Sequence, residues 1–148
     1  MAQDQYGNAI FPGATSVGLR NVGSYQVSGQ PYITGSALAL GEEKQITFPY
    51  VTKKITIIAS GSQPGGAAGG LRVHFAATGS HTAEENGVVT GLHYLQFDSH
   101  EDSMDLDVKC KEIWVSSPGG ASNFFLYASL TNIPTSSMYA LTGSGITA

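Results

Sequence analysis

The segment 103–115 carries the clearest alternation of apolar and polar residues in the chain. From 104 to 111 the apolar side chains take the even positions and the charged ones the odd positions. An alternation with period two predicts a strand that has one face on a core and the other in water. At Ile113 and Val115 the apolar residues change to odd positions. One extra residue near 111–112 would explain this change, so we predict a β-bulge inside a single strand.

Five further segments have strand-like patterns, at 44–48, 51–60, 71–76, 88–97 and 123–130. Turns rich in Gly, Pro and Ser separate them, and no window of about 11 residues has a helical period. These features predict an all-β domain of two packed antiparallel sheets, a β-sandwich with a jelly-roll-like arrangement. The inward positions predict a core of Ile55, Ile57, Leu71, Val73, Phe75, Leu95, Met104, Leu106, Val108, Ile113, Leu126 and Ala128.

Both ends of the chain carry isolated large apolar residues among glycines and small polar residues. This pattern favours extended arms that lie on a neighbouring subunit. We therefore predict an N-terminal arm at 1–24, a β-sandwich domain at 25–133 and a C-terminal tail at 134–148. For 25–34, a first hairpin of the domain is an equal alternative to an arm, and 36–40 could form a helical turn or a short strand.

The second face of the strand at 123–130 is also apolar, because Phe125 and Tyr127 alternate with its core residues. Such a face is expected to meet a second layer or a partner. Combined with the two arms, it gives the candidate partner-binding residues Tyr6, Phe11, Leu19, Tyr25, Tyr32, Phe125, Tyr127, Tyr139 and Leu141.

Composition narrows the functional classes. The chain has 148 residues, a length typical of one domain, and charged residues make up 12% of it, about half the usual share. A formal net charge of -4 argues against a nucleic-acid partner. The N-terminus has neither a basic region nor an apolar run, and no segment approaches a membrane span. We expect neither a signal peptide nor a membrane partner, and synthesis in a cytoplasm.

The sequence shows no catalytic motif. The four histidines lie in no short ligand motif, the acidic turn at 98–102 lacks the ligand ladder of a calcium loop, and Gly143-Ser144-Gly145 is not on a strand-to-helix turn. Histidines at scattered surface positions are the favoured interpretation. Cys110 has no partner for a disulfide and is interpreted as a small buried apolar residue. We therefore expect that the protein is not an enzyme and that it binds neither a metal ion nor a cofactor.

Several segments give the chain a family resemblance: 13–21 with 25–29 near the N-terminus, 71–75, 106–112 and 141–145. Together they resemble small virion structural proteins of tailed phages, most closely those of cyanobacterial phages, and among these a head decoration, or cement, protein. The resemblance implies a β-sandwich with arms that binds the outer surface of the virion capsid. It also implies two kinds of partner. One is the major capsid protein, and the other is further copies of this chain, with which it would form a homo-oligomer such as a trimer.

A receptor- or carbohydrate-binding module of a phage tail or fibre is the alternative function. Exposed aromatic side chains such as Tyr94 or Trp114 would then provide flat surfaces for sugar rings.

Overall fold

The computed structural model describes residues 18–20, 22–26, 29–60, 70–77 and 94–141 of the chain. Several predictions concern residues outside this part of the chain. These residues are Tyr6, Phe11, His81, His93, the strand at 88–93 and both chain ends. The described strands are β1 (Gln30–Leu38), β2 (Glu42–Thr47), β3 (Tyr50–Ser60), β4 (Arg72–His74), β5 (Leu95–Gln96), β6 (Ser103–Leu106), β7 (Glu112–Ser117) and β8 (Ser122–Pro134). A single helical turn, α1 (Gly23–Gln26), precedes β1, and a 3-10 helix (Thr135–Ser137) follows β8.

These strands form two four-stranded sheets. The first sheet has the order β1-β8-β3-β6 and the second has the order β2-β7-β4-β5. The antiparallel pairs β1–β8, β2–β7, β3–β6 and β4–β5 are nested within one another along the chain. A chain with this nesting is one long hairpin wound over itself, which is the topology of a jelly roll. The predicted all-β antiparallel sandwich is confirmed.

The prediction of one bulged strand at 103–115 is wrong. β6 pairs with β3 in the first sheet, whereas β7 pairs with β2 and β4 in the second. Residues 107–111 carry the chain from one sheet to the other. The change of phase therefore marks this crossing, because the inward direction is reset when a chain changes layer.

The side chain of Thr52 anchors the crossing segment to β3. Its hydroxyl donates to the Val108 carbonyl at 2.7 Å and accepts from the Cys110 N–H at 3.0 Å. The Thr52 N–H also donates to the Cys110 carbonyl at 3.0 Å. Thr52 and Cys110 are both fully buried, so these bonds satisfy backbone groups that water does not reach.

The core lies between the two sheets, and most of the predicted core is confirmed. Seven predicted residues are buried: Ile55, Ile57, Leu71, Val73, Ile113, Leu126 and Ala128. Four others are half-buried and pack against these: Phe75, Met104, Leu106 and Val108. The prediction that Leu95 lies in the core is wrong, since its side chain is 40% exposed on the edge strand β5. Phe97, two residues later, is buried instead. Cys110 is buried, as predicted.

Residues 30–34 belong to the domain and not to an arm. They form the first part of β1, which continues through 36–38 and pairs along its whole length with β8. Leu38 is part of the core, and Tyr32 packs edge-on against Phe48 with ring centroids 5.3 Å apart. At the other end, Met138 is 5% exposed and joins the core four residues after β8 ends.

Candidate functional site: the outer face of the first sheet

The outer face of the first sheet carries four exposed apolar side chains, which we call the apolar patch: Ile33, Ile58, Phe125 and Tyr127. They are exposed because strict alternation along β8 points Phe124 and Leu126 into the core, which leaves Phe125 and Tyr127 on the opposite face. Exposed fractions reach 77% at Ile33 and 59% at Phe125. The predicted apolar second face of this strand is confirmed, and it is open to solvent.

Strand register brings the patch residues together. Tyr127 lies between Ile33 on β1 and Thr56 on β3, and Phe125 lies between Gly35 on β1 and Ile58 on β3. Side chains directly opposite on neighbouring strands have Cβ atoms about 5 Å apart, so each row forms a continuous contact surface.

Gly35 shapes one end of the patch. A Cβ atom at this position would lie 2.8 Å from the Phe124 carbonyl oxygen and 3.2 Å from Cδ1 of Phe125. The absence of a side chain therefore lets the Phe125 ring reach across β1 towards the edge of the sheet.

The two borders of the patch differ. On the β6 side, Asp105 accepts a hydrogen bond from Thr56 and forms an ion pair with Lys54 at 3.2 Å. The hydrogen bond from Thr56, and then Lys54, hold the pKa of the Asp105 carboxyl below its ordinary value, so it carries a charge at neutral pH. On the β1 side no residue of the strand is charged. The patch thus ends against a charged border on one side and continues to an uncharged edge on the other.

The candidate partner-binding residues are divided between two environments. Phe125, Tyr127 and Tyr139 are exposed. Leu19, Tyr25, Tyr32 and Leu141 are half-buried and pack against the core of their own chain. The Tyr25 hydroxyl donates to the Leu19 carbonyl at 3.0 Å, and burial, followed by the nearby Tyr139, raises the pKa of Tyr25. The structure therefore brings Phe125 and Tyr127 together and uses Leu19, Tyr25, Tyr32 and Leu141 for internal packing.

Sequence reasoning missed Ile33 and Ile58 as members of the patch. A signal existed for Ile58, because Ile57 and Ile58 are adjacent on a strand and must point to opposite faces. For Ile33 the signal was hidden by the alternative of an arm at 25–34.

A second cluster lies on the outer face of the second sheet and is polar and enclosed. The interpretation of the histidines as surface residues is wrong for His74, which is 0% exposed, and Arg72 beside it is 6% exposed. The Nε2 atom of His74 lies 3.0 Å from the Ser116 hydroxyl, and its Nδ1 lies 2.7 Å from the Ala76 carbonyl oxygen. Since a carbonyl oxygen only accepts, Nδ1 carries the proton in the neutral ring and Nε2 accepts from Ser116. This arrangement satisfies three buried polar groups.

The remaining members of the cluster surround Arg72. Its guanidinium carbon lies 4.0 Å from the centre of the Tyr94 ring, and its Nε is 3.4 Å from Oε1 of Gln96. The Glu43 carboxylate lies 3.7 Å from Nε2 of His74. A serine next to a histidine is the pairing used for nucleophilic catalysis, but Ser116 is 1% exposed and offers a substrate no approach. The described members of the cluster therefore form a buried network of polar contacts.

Among the described residues, no group of three or more His, Cys, Asp or Glu side chains is arranged to hold a metal ion. No helix in that part of the chain is long and apolar enough to cross a membrane. Comparison with models of known protein families found no match, and comparison with curated proteins found none.

Proposed function

We propose that the protein is a virion structural protein that binds the outer surface of a phage capsid and stabilises it. The observation that carries the proposal is the apolar patch, with Phe125 and Ile33 more than half exposed on the outer face of the first sheet. A contiguous exposed apolar surface on a small domain is typical of a protein–protein contact. Aromatic residues are also enriched where such contacts contribute most of the binding energy.

Two further points support this function. By analogy of fold, jelly rolls are common in viral capsid domains. The family resemblance of the sequence to decoration proteins leads to the same function independently. In this proposal the domain contacts the shell through the apolar patch, and the chain ends outside the described residues, 1–17 and 142–148, contribute additional contacts.

The alternative of a carbohydrate-binding module gains less support. One face of the Tyr94 ring is covered by Arg72, and Trp114 is half-buried between Gln45 and His74 in the second sheet. Sugar-binding aromatic rings need an open face.

Locating the protein in particles tests the proposal. Virions of the phage that encodes this chain would be purified and labelled with gold-conjugated antibody against the protein. Label spread over the heads is expected. Label on tail tips or fibres would favour the receptor-binding alternative, and particles without the protein would contradict both functions.

A further inference from the structure

β1 is an edge strand with little protection against pairing. Within the described residues it pairs with β8 on one side and with no strand on the other. It is nine residues long and contains no charged residue, whereas the other edge strands β2, β5 and β6 have six, two and four residues. Natural edge strands are usually kept apart by charges, bulges or short length.

The position of Pro31 shows which backbone groups of β1 face outwards. Proline has no N–H, so within a sheet its nitrogen points away from the ladder. Because the bonding direction alternates along an antiparallel strand, the N–H and C=O groups of Ile33, Gly35 and Ala37 then point to the open edge. All three residues are exposed, and the side chains of Ile33 and Ala37 lie on the face that carries the apolar patch.

We propose that two copies of the chain associate by pairing their β1 edges antiparallel about a two-fold axis at Thr34. The two first sheets then form one continuous sheet of eight strands. This inference concerns self-association and does not depend on what the apolar patch binds.

The register at Thr34 is the one that β1 itself favours. Thr34 is the middle residue of Gln30–Leu38, so centring the axis there pairs all nine residues, as an isologous contact requires. It places Ile33 opposite the partner's Gly35 and Gly35 opposite the partner's Ile33. A large apolar side chain then lies against the residue that has none, on both sides of the axis.

The same register joins the apolar patches of the two copies. Gly35 is in register with Phe125, so an isoleucine paired with Gly35 from the other copy is placed beside the Phe125 ring. A two-fold axis perpendicular to the sheet keeps both outer faces on one side. The pairing thereby covers the edge-facing side of Ile33, 77% exposed in the single chain, and makes one apolar surface from two.

A charged side chain that contacts β1 lies on the inner side of the sheet and does not obstruct the edge. Lys44 on β2 donates from Nζ to the Ser36 hydroxyl at 2.9 Å. Ser36 points to the inner side of the first sheet, since its register partner Phe124 is buried in the core. The outward-pointing positions 31, 33, 35 and 37 remain uncharged.

Disulfide trapping tests the register. At the proposed axis the two Thr34 residues form a pair without mutual hydrogen bonds, with Cα atoms about 4.5 Å apart, which suits a disulfide. Thr34→Cys is expected to oxidise to a covalent dimer at least tenfold faster than Ser36→Cys. Residues 36 of the two copies would lie four positions, or about 13 Å, out of register. Cys110 does not interfere, since it is buried and burial raises its pKa to about 11.

Sedimentation of a charged edge variant tests the association itself. Ile33→Lys places a charge at an exposed position of the edge and should weaken self-association at least tenfold. The matched control Leu40→Lys changes another exposed aliphatic residue, 66% exposed beyond the end of β1, and should sediment as the wild type does.

Three results would overturn the proposal. They are a wild-type chain that remains monomeric at its highest soluble concentration, equal oxidation rates for the two cysteine variants, and an Ile33→Lys variant that associates as strongly as the wild type. A monomer that instead captures an extended peptide along β1 would show that the edge takes a foreign strand, which also excludes the second copy. Should Ile33→Lys fail to fold, the cysteine pair still decides the question.

Discussion

Threonine hydroxyls complete the hydrogen bonding where the first sheet is irregular. The β3–β8 register shifts around Thr52, where the Thr131 hydroxyl donates to the Val51 carbonyl at 2.7 Å and accepts from the Ile133 N–H at 3.1 Å. Thr52 itself joins β3 to the crossing segment. These two hydroxyls replace backbone hydrogen bonds that are missing between the strands. The general preference of threonine for strands does not predict this role.

Thr52→Val tests the role of the crossing hydroxyl. Valine keeps the shape but leaves the Val108 carbonyl and the Cys110 N–H without their partner, so we expect a loss of about 2–4 kcal/mol in the free energy of unfolding. The control Thr52→Ser keeps the hydroxyl, removes one methyl group and should cost about 1 kcal/mol. Urea unfolding measures both. A valine variant as stable as the serine variant would show that these bonds contribute nothing.

His74 makes stability depend on pH. Burial lowers the pKa of His74 below its ordinary value of 6.5, and the Arg72 charge acts in the same direction, while the Ala76 hydrogen bond and Glu43 oppose them. The unfolded chain therefore binds a proton more readily than the folded one. The stabilising contribution is complete above about pH 6.5 and is lost as the pH falls below it.

The variant His74→Gln isolates this effect from other titrating groups. The free energy of unfolding of the wild type should fall more steeply than that of the variant between about pH 7 and about pH 5, by up to about 1.4 kcal/mol per pH unit. Urea titrations at several pH values measure the two slopes. Equal slopes would mean that His74 titrates alike in the folded and unfolded chains.

At the scale of elements, the 103–115 segment shows how much of the structure the sequence pattern predicts. Strong alternation predicted β6, β7 and β8 as extended segments, and their inward residues were mostly identified. The change of phase at 111–113 was detected as well. Its cause was not predictable, because a bulge and a crossing between sheets shift an alternation in the same way. Ladder partners, which distinguish the two, are set by the tertiary fold.

Gly35 gives a test at the level of this strand. Gly35→Ala adds a Cβ that would meet the Phe124 carbonyl oxygen at 2.8 Å, a rigid backbone atom, so β1 must shift. We expect a loss of about 1–3 kcal/mol in the free energy of unfolding, as for other overpacked sites. The control Gly120→Ala meets no atom within 4 Å and should change stability by less than about 0.5 kcal/mol. Equal stabilities for the two variants would mean that β1 accommodates the added Cβ at position 35 with no loss in the free energy of unfolding.

For the whole molecule, the sequence predicted the all-β sandwich and its jelly-roll-like arrangement, but it did not predict which strands pair. Turn-separated strands with one apolar face require two layers, which predicts a sandwich. The nested pairing of a jelly roll depends on long-range contacts, such as β1 with β8, that no local pattern records. The site was half predicted for a related reason. Phe125 and Tyr127 stood out within one strand, but Ile33 and Ile58 joined them through register with β8.

Binding to capsid shells tests the apolar patch as the docking surface. Burying Phe125 and Tyr127 against a partner should contribute about 1.5–3 kcal/mol each, so Phe125→Ser with Tyr127→Ser should weaken binding about 100-fold or more. The control Leu95→Ser removes an exposed aliphatic side chain from the second sheet and should bind as the wild type does. A third protein that lacks residues 1–17 measures the share of the N-terminal arm.

The decisive quantity is the number of copies bound per purified shell of the encoding phage as the concentration of each protein is raised. We expect the patch variant to require about 100-fold more protein than the wild type for half-occupancy, with the Leu95→Ser curve unchanged. If the patch variant fills the shells at the wild-type concentration, the outer face of the first sheet is not the docking surface. Loss of binding confined to the protein without residues 1–17 would then assign attachment to the arm.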